Sequence, residues 1–286
     1  MNKKSNWYDI AFVTPGLLVY MIFLVIPLLL SFYYSFTNWN GLSPHVKITG
    51  VKNYILISKD PMFLDSLWVT LKITVITALG VNTVGLLTAG VLNKPGGVLK
   101  MGRTIVFIPA ILSAVVASFI WSYMTQTNGG IINIILKIIH LPSIDFYQSK
   151  ESMVFMVSGV ISWAALGFYT TIYIANMKTI PLDIYEAAEI DGASPLRQFF
   201  SMTIPMLRPA IIINSITAII WGLKQYDFVK VMIPGYIQTV TIYAIERAFE
   251  YNMFGYSSAV IIVLLILTLL ISLFQMKIMN RKEISY

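Results

Sequence analysis

The chain has 286 residues, of which 57% are hydrophobic and 12% are charged, and its mean hydropathy is +0.75. An ordinary soluble domain is about 45–50% apolar and about 25% charged, so this composition predicts an integral membrane protein. The absence of cysteine excludes disulfides, thiolate metal sites and a cysteine nucleophile, and with only two distant histidines, His45 and His140, no metal site is predicted. Despite the net charge of +7, no basic run exceeds two residues, so nucleic-acid binding is not predicted.

Six apolar stretches have the length of about 20 residues that crosses a ~30 Å hydrocarbon core. They cover residues 10–36, 67–92, 103–123, 154–176, 209–226 and 256–279. The predicted fold class is therefore an all-α membrane protein with six transmembrane helices. We assign residues 1–65 to the first helix and an outer loop, 66–279 to the transmembrane domain and 280–286 to a tail.

The distribution of basic residues predicts the orientation. An even number of spans places both termini on one side, and Lys and Arg are denser in the segments on that side, so both termini are predicted to be cytoplasmic. Trp39, Trp68 and Trp121 then lie near the outer ends of the first three spans, as in an aromatic belt. Lys72, one turn inside the second span, is expected to snorkel to the interface.

Several absences narrow the function. None of the thirteen acids lies in the hydrocarbon part of a predicted span, which argues against an ion-coupled carrier. The chain lacks the G-x-x-x-x-G-K-[ST] pattern of a phosphate-binding loop, so energy for uphill transport must come from another polypeptide. No catalytic set is evident within the membrane, and the chain is not predicted to be an enzyme.

Residues 178–208 form a polar, cytoplasmic connection between the fourth and fifth spans. A helix is expected from about Pro181 to Ile190, with Pro181 at its first position and Gly192 as a left-handed residue past its end. Ser194 is a good N-cap for a second short helix that Pro205 closes. Leu196, Phe199 and Phe200 fall on one side of that helix.

Two interpretations of this helix-turn-helix remain open from physical reasoning alone. It is either a cap that joins two spans and covers its own apolar residues, or a projection that docks into a partner. An outer-loop run, "IINIILKIIH", is expected to form a helix at the membrane interface.

The stretch from Glu186 to Ala193 reads E-A-A-x-x-D-G-A and is followed by Ile204-Pro205. It resembles the EAA loop of ABC importer permeases, and we call residues 178–208 the EAA loop. "LGFYTTIYIANMKTIP", "PLLLSFYYSFTNWNG" and "FIPAILSAVVASFIW" resemble the sugar-permease branch of the binding-protein-dependent type I kind. Family members usually end the loop with Ile-x-Leu-Pro, where this chain has Met202 to Pro205; both changes stay apolar and similar in size.

The resemblance implies a subunit of the bacterial cell membrane that pairs with a second, homologous permease. It implies two cytoplasmic ATPase subunits, which bind ATP and Mg while this chain binds no cofactor, and an extracellular binding protein that delivers a sugar or oligosaccharide. The EAA loop would dock into a cleft on the ATPase. The contact or bend residues carried over are Glu186, Ala187, Ala188, Asp191, Gly192, Ala193 and Pro205.

Candidates for a substrate path are aromatic and polar side chains at membrane depth, because sugar pockets combine apolar walls with a few placed polar groups. They are Asn82, Trp163, Asn214, Ser215, Thr217, Trp221 and Tyr226. For any single residue, ordinary packing between membrane helices is the favoured alternative. Asn214 and Trp221 are spaced to share one helix face.

Other solutes remain alternatives within the same architecture, such as glycerol phosphate or a polyamine. A phosphorylated solute would need Arg or Lys along the path, and the spans are nearly bare of bases, which favours neutral sugars or oligosaccharides. A stand-alone secondary carrier and a membrane scaffold are the alternatives from other classes.

Overall fold

The computed structural model describes residues 3–280, with side chains from Ile10 to Ile278. Apart from one antiparallel bridge between Thr37 and Ile48, its regular structure is helical. In chain order the first helices are α1 (Lys3–Tyr20), a π-helical turn (Met21–Val25), α2 (Ile26–Ser35), α3 (Lys52–Lys59), α4 (Pro61–Leu92), α5 (Gly97–Ile111), α6 (Ala114–Met124) and α7 (Ile131–Ile138). There follow α8 (Lys150–Met177), α9 (Leu182–Ile190), α10 (Pro195–Gln198), a second π-helical turn (Phe199–Thr203), α11 (Ile204–Met206), α12 (Arg208–Leu223), α13 (Asp227–Met232), α14 (Val240–Phe249) and α15 (Phe254–Asn280).

Among residues 3–280, four helical stretches are long and apolar enough to cross a membrane. They are Ile10–Ser35, Pro61–Leu92, Lys150–Met177 and Phe254–Ile278. Two bent helix pairs, α5 with α6 and α10–α11 with α12, bring the number to six if each pair is one span. The protein is thus an all-α, multi-pass membrane protein. The cytoplasmic placement of its termini remains a prediction.

The third predicted span is broken, so the expectation of one unbroken helix over 103–123 is wrong. Helices α5 and α6 meet at an angle of 100°. Leu112 has an extended backbone with ψ 141°, and the Ser113 hydroxyl accepts the Val116 N–H at 3.2 Å as the N-cap of a new helix. Hydroxyl capping and an extended residue therefore stop the helix inside an apolar run whose composition reads as continuous.

The fifth predicted span is shorter than expected and begins after a sharp bend. Helix α12 ends at Leu223, so Tyr226 lies outside it and precedes α13 instead. The short helix before it does not end at Pro205, because the second π-helical turn and α11 carry the helical path to Met206. The chain bends by 69° at Leu207, whose side chain is buried.

The described residues fall into two compact units, one of which combines Asp65–Thr241 with the residues from Leu267 onward. In this unit a buried cluster packs the last turns of α4 and α8 against the start of α12. Its members are Ala89, Leu92, Tyr173, Ile174, Met177, Ile180, Leu207 and Ala210. The cluster supports the EAA loop, since Ile184, Tyr185 and Phe199 pack against it.

Glycine allows the helices of this unit to approach closely. A Cβ on Gly222 of α12 would lie 2.8 Å from the Thr74 Cα of α4, and one on Gly167 of α8 would lie 2.6 Å from the Phe107 Cα of α5. Small residues at helix contacts are a common feature of membrane proteins.

Lys72 forms an ion pair with Glu151 at 2.8 Å. The sequence had predicted only that Lys72 reaches the membrane interface.

The other unit combines the residues up to Leu64 with Ile242–Ile266. Its polar centre is Asp60, whose Oδ2 accepts hydrogen bonds from the hydroxyls of Tyr243 at 2.6 Å and Tyr256 at 3.1 Å. Asp60 Oδ1 accepts the Met62 N–H at 2.8 Å and so caps α4. Burial acts to raise the pKa of Asp60, but the hydrogen bonds from Tyr243 and Met62 and the weaker ones together hold it below its usual value.

Candidate functional site: the EAA loop and an intramembrane cavity

The EAA loop holds a helix and a tight turn whose geometry follows from capping. Pro181 is the N-cap of α9, with ψ 135°, rather than its first helical residue. Gly192 has φ +74°, which confirms the expected left-handed residue. The Gly192 N–H donates to the Glu189 carbonyl at 3.0 Å and the Ala193 N–H donates to the Ala188 carbonyl at 2.9 Å. This pair of bonds is a Schellman motif.

The second half of the loop is fixed by side-chain hydrogen bonds. The Ser194 hydroxyl accepts the Arg197 N–H at 3.4 Å as the N-cap of α10, as predicted. The Gln198 amide donates to the Ala193 carbonyl at 3.1 Å, and the hydroxyls of Tyr185 and Thr203 are bonded at 2.9 Å. The Tyr185–Thr203 bond ties α9 to the second π-helical turn, and the Gln198–Ala193 bond ties α10 to the turn that precedes it. The two helices are therefore held in one arrangement.

The side chains of α9 divide into an outward and an inward face. Glu186, Ala187, Asp191 and Gly192 are exposed, whereas Ala188 is only 2% exposed and packs within the chain. The outward face also carries two large apolar side chains that the sequence reasoning missed. These are Leu182 and Ile190, 71% and 88% exposed. Their spacing of eight residues, which puts both on one side of a helix, was the available signal.

An intramembrane cavity of about 410 Å³ lies where α5 breaks into α6. Its walls are Phe107, Pro109, Ala110, Leu112, Ala114, Ala164, Ala165, Phe168, Tyr169, Thr217, Trp221 and Phe228. None of these lining residues is charged. The cavity combines aromatic walls with few polar groups, a composition that suits a neutral ligand with apolar faces.

Two of the predicted path residues, Thr217 and Trp221, lie in this cavity. Trp221 is 39% exposed and its ring meets Phe228 edge to face, with 6.5 Å between ring centroids. The sequence reasoning missed Phe107, Phe168 and Tyr169. An apolar sequence does not distinguish an aromatic residue that faces a cavity from one that faces lipid. The sequence also did not predict the break at Leu112, beside which these three residues line the cavity.

Three other predicted path residues make polar contacts among α4, α8 and α12, and two of them, Asn82 and Ser215, bond to each other. Asn82 Oδ1 accepts the Tyr173 hydroxyl at 2.6 Å and the Ser215 hydroxyl at 3.3 Å. Asn214 is fully buried and donates to the Tyr169 carbonyl at 3.5 Å, while its Oδ1 has no hydrogen-bond partner among the described residues. Buried amides and hydroxyls that bond across helices hold membrane spans together.

The two remaining path candidates lie elsewhere. Trp163 packs edge to face on Trp121, with 5.4 Å between ring centroids. Tyr226 stands between α12 and α13, where its carbonyl accepts the Lys230 N–H at 2.9 Å. The structure therefore brings together Thr217 with Trp221, and Asn82 with Ser215, but does not gather the seven candidates at one site.

Comparison with known proteins decides the family. The chain matches, over residues 81–283, the family described as the binding-protein-dependent transport system inner membrane component. The chain belongs to this family. This match confirms the resemblance to binding-protein-dependent permeases that the EAA loop indicated.

Relatives of this inner membrane component match it over nearly its whole length. The diacetylchitobiose uptake system permease protein NgcF of Streptomyces coelicolor is 31% identical, with 92% of this chain and 79% of the relative covered. The arabinooligosaccharides transport system permease protein AraP of Bacillus subtilis is 29% identical, with 96% and 92% covered.

Two solved structures share the fold. A chain of a bacterial ABC transporter involved in the import of the acidic polysaccharide alginate superposes with a TM-score of 0.86 at 20% identity, covering 98% of this chain and 97% of that chain. A chain of the bacterial alginate ABC transporter in complex with an alginate pentasaccharide-bound periplasmic protein gives 0.84 at 20% identity, covering 97% and 96%. At this identity the likeness shows the fold alone.

Proposed function

We propose that this inner membrane component is the permease subunit of an ATP-driven importer and that its EAA loop couples transport to a separate ATPase. The observation that carries the proposal is the exposed outward face of α9. The helix ends in a Schellman turn, and hydrogen bonds of Tyr185 with Thr203 and of Gln198 with Ala193 hold it in place. A rigid short helix with exposed apolar ends suits docking, because little conformational entropy is lost on binding.

The chemistry of the outward face specifies the partner surface. Leu182 and Ile190 offer apolar anchors at the two ends of the helix, and Glu186, Glu189 and Asp191 are exposed acids near them. A complementary cleft would have two apolar depressions and basic residues between them. In this arrangement Ala187 permits close approach, whereas Ala188 supports the helix from inside the chain.

We assign the substrate path to the intramembrane cavity beside Trp221. Its uncharged walls favour a neutral sugar or oligosaccharide that stacks on aromatic rings. Glycerol phosphate and polyamines are less suitable, because each would leave a charge without an opposite charge among the lining residues. The names of the sugar-importing relatives support the same substrate class.

The remaining parts of the assembly follow from the proposed role. A second homologous permease would complete the path, two ATPase subunits would bind ATP and Mg, and an extracellular binding protein would deliver the sugar. We place the complex in the bacterial cell membrane with both termini of this chain cytoplasmic.

The experiment is transport by the reconstituted complex in liposomes that contain ATP. We expect the uptake of a labelled neutral oligosaccharide to depend on ATP and on the binding protein. Glu186→Lys, which reverses a charge on the outward face, should lower both uptake and ATPase stimulation, while the matched Glu250→Lys, at the end of α14, should lower neither. ATP-independent uptake, or ATPase stimulation unchanged by Glu186→Lys, would contradict the proposal.

A further inference from the structure

A second concavity, which we call the Lys94 groove, lies outside the substrate cavity. It has a volume of about 610 Å³ and is formed by the end of α4, the start of α5, the last residue of α8 and side chains from both halves of the EAA loop. Its apolar wall consists of Leu87, Val91, Leu99, Leu196, Phe199 and Phe200. Leu196 and Phe200 are 69% and 53% exposed, so the groove is open on one side.

The polar end of the groove carries one buried acceptor without a donor and one exposed positive charge. Asn93 Oδ1 is buried and accepts no hydrogen bond within the described part of the chain. A buried carbonyl oxygen without a donor costs free energy. Lys94 adjoins it, is exposed, and forms no ion pair with the described residues. A ligand here should therefore offer a donor for Asn93 and a negative charge for Lys94.

The position of the groove indicates that the ligand comes from the membrane. The groove lies where the apolar run of α4 ends and the polar turn at residues 93–96 begins. Leu87 and Val91 are exposed and four residues apart, so they lie next to each other on α4 and continue the apolar wall of the groove along the surface of that helix.

We propose that the Lys94 groove binds one anionic phospholipid whose headgroup carries a hydroxyl. The phosphate pairs with Lys94, the hydroxyl donates to Asn93 Oδ1, and an acyl chain lies along Leu87 and Val91. This combination supplies the charge, the donor and the apolar surface that the groove requires. Lipid binding in the groove requires only the groove and the bilayer, and not the proposed transport function.

The bound lipid would touch the EAA loop through Phe199. A Cβ on Gly90 would lie 2.5 Å from the Phe199 ring, so only glycine lets this ring pack so closely on α4. Phe199 also packs against the buried cluster that supports the loop. An acyl chain in the groove therefore covers the outer side of a contact on which the position of the loop depends.

The test is native mass spectrometry of the full chain in detergent, titrated with phosphatidylglycerol and, separately, with phosphatidylcholine of the same acyl chains. We expect one phosphatidylglycerol to bind in preference to phosphatidylcholine. Lys94→Gln should weaken that binding about fivefold, the expected contribution of one charge at a membrane surface. Asn93→Leu should weaken it by about the same factor through loss of one hydrogen bond. Lys94→Arg should retain it, which separates loss of charge from loss of fold.

The matched control is Lys100→Gln, which removes an exposed basic residue that follows the same turn but does not line the groove. It should leave the binding unchanged. Equal loss in Lys94→Gln and Lys100→Gln would mean that lipid binds only through diffuse charge, and would overturn the proposal. Equal binding of the two lipids to the unaltered chain, or no loss in Asn93→Leu, would overturn it as well.

Discussion

Replacing Gly192 with alanine tests whether the turn of the EAA loop requires a left-handed residue. Gly192 has φ +74°, and a Cβ at this position would meet no atom within 4 Å. The cost of Gly192→Ala is therefore backbone strain without steric overlap, about 1 kcal/mol for an L-residue in this region. It should weaken the hydrogen bonds from Gly192 to Glu189 and from Ala193 to Ala188 that close the turn.

The assay is amide hydrogen exchange of the turn in the full chain, followed by mass spectrometry. A loss of about 1 kcal/mol corresponds to about fivefold faster exchange at Ala193. Gly192→Asn is the matched variant, because asparagine tolerates the left-handed region, and it should have a smaller effect. Exchange that is unchanged in Gly192→Ala, or equally fast in both variants, would refute the assignment of strain to this φ angle.

Two further perturbations address the outward face and the Asp60 network. Ile190→Ser should reduce ATPase stimulation in the complex severalfold without lowering the melting temperature, because Ile190 is 88% exposed. Val98 is similarly exposed, and Val98→Ser should change neither quantity. A lowered melting temperature of Ile190→Ser would contradict the docking role. Asp60→Asn should destabilise the chain by about 1–2 kcal/mol through weaker hydrogen bonds from Tyr243 and Tyr256. Because the pKa of Asp60 is lowered in the folded chain, its stabilisation is present above the unfolded value and is lost as pH falls through the folded pKa. Thermal melts from neutral pH to below about pH 4 should show this loss in the unaltered chain and not in Asp60→Asn. If the melting temperature fell with pH in the same way in both proteins, the stabilising role of the Asp60 carboxylate would be contradicted.

Local rules predicted the turn chemistry of the EAA loop well. Gly192 and Ser194 act within a few residues, so capping preferences were enough to place the turn and the second short helix. The burial of Ala188 was beyond such rules, because it depends on the rest of the chain packing beneath α9. The spacing of Leu182 and Ile190 places both on one side of α9, but that this side is the exposed one depends on how the rest of the chain packs.

The membrane-spanning part was predictable in composition but not in shape. Hydropathy located the four long apolar helices and two further apolar stretches that the structure divides into bent helix pairs, since a run of about 20 apolar residues registers whether or not it bends. The break at Leu112 depends on one extended residue and the Ser113 cap, which a hydropathy window averages away. Likewise, the hydrogen bond from Tyr173 to Asn82 joins residues 91 positions apart in the chain. The sequence alone therefore could not show whether Asn82 holds helices together or faces a substrate path.

The central claim, that the EAA loop docks into an ATPase, can be tested directly because the chain contains no cysteine. Ala187→Cys and Val98→Cys each introduce one thiol at an exposed position, to be treated with a short bifunctional crosslinker in membranes that contain the assembled complex. We predict a crosslink from Ala187→Cys to the ATPase, lost when the ATPase is omitted, and little from Val98→Cys. An ATPase crosslink to Val98→Cys but not to Ala187→Cys would contradict the account.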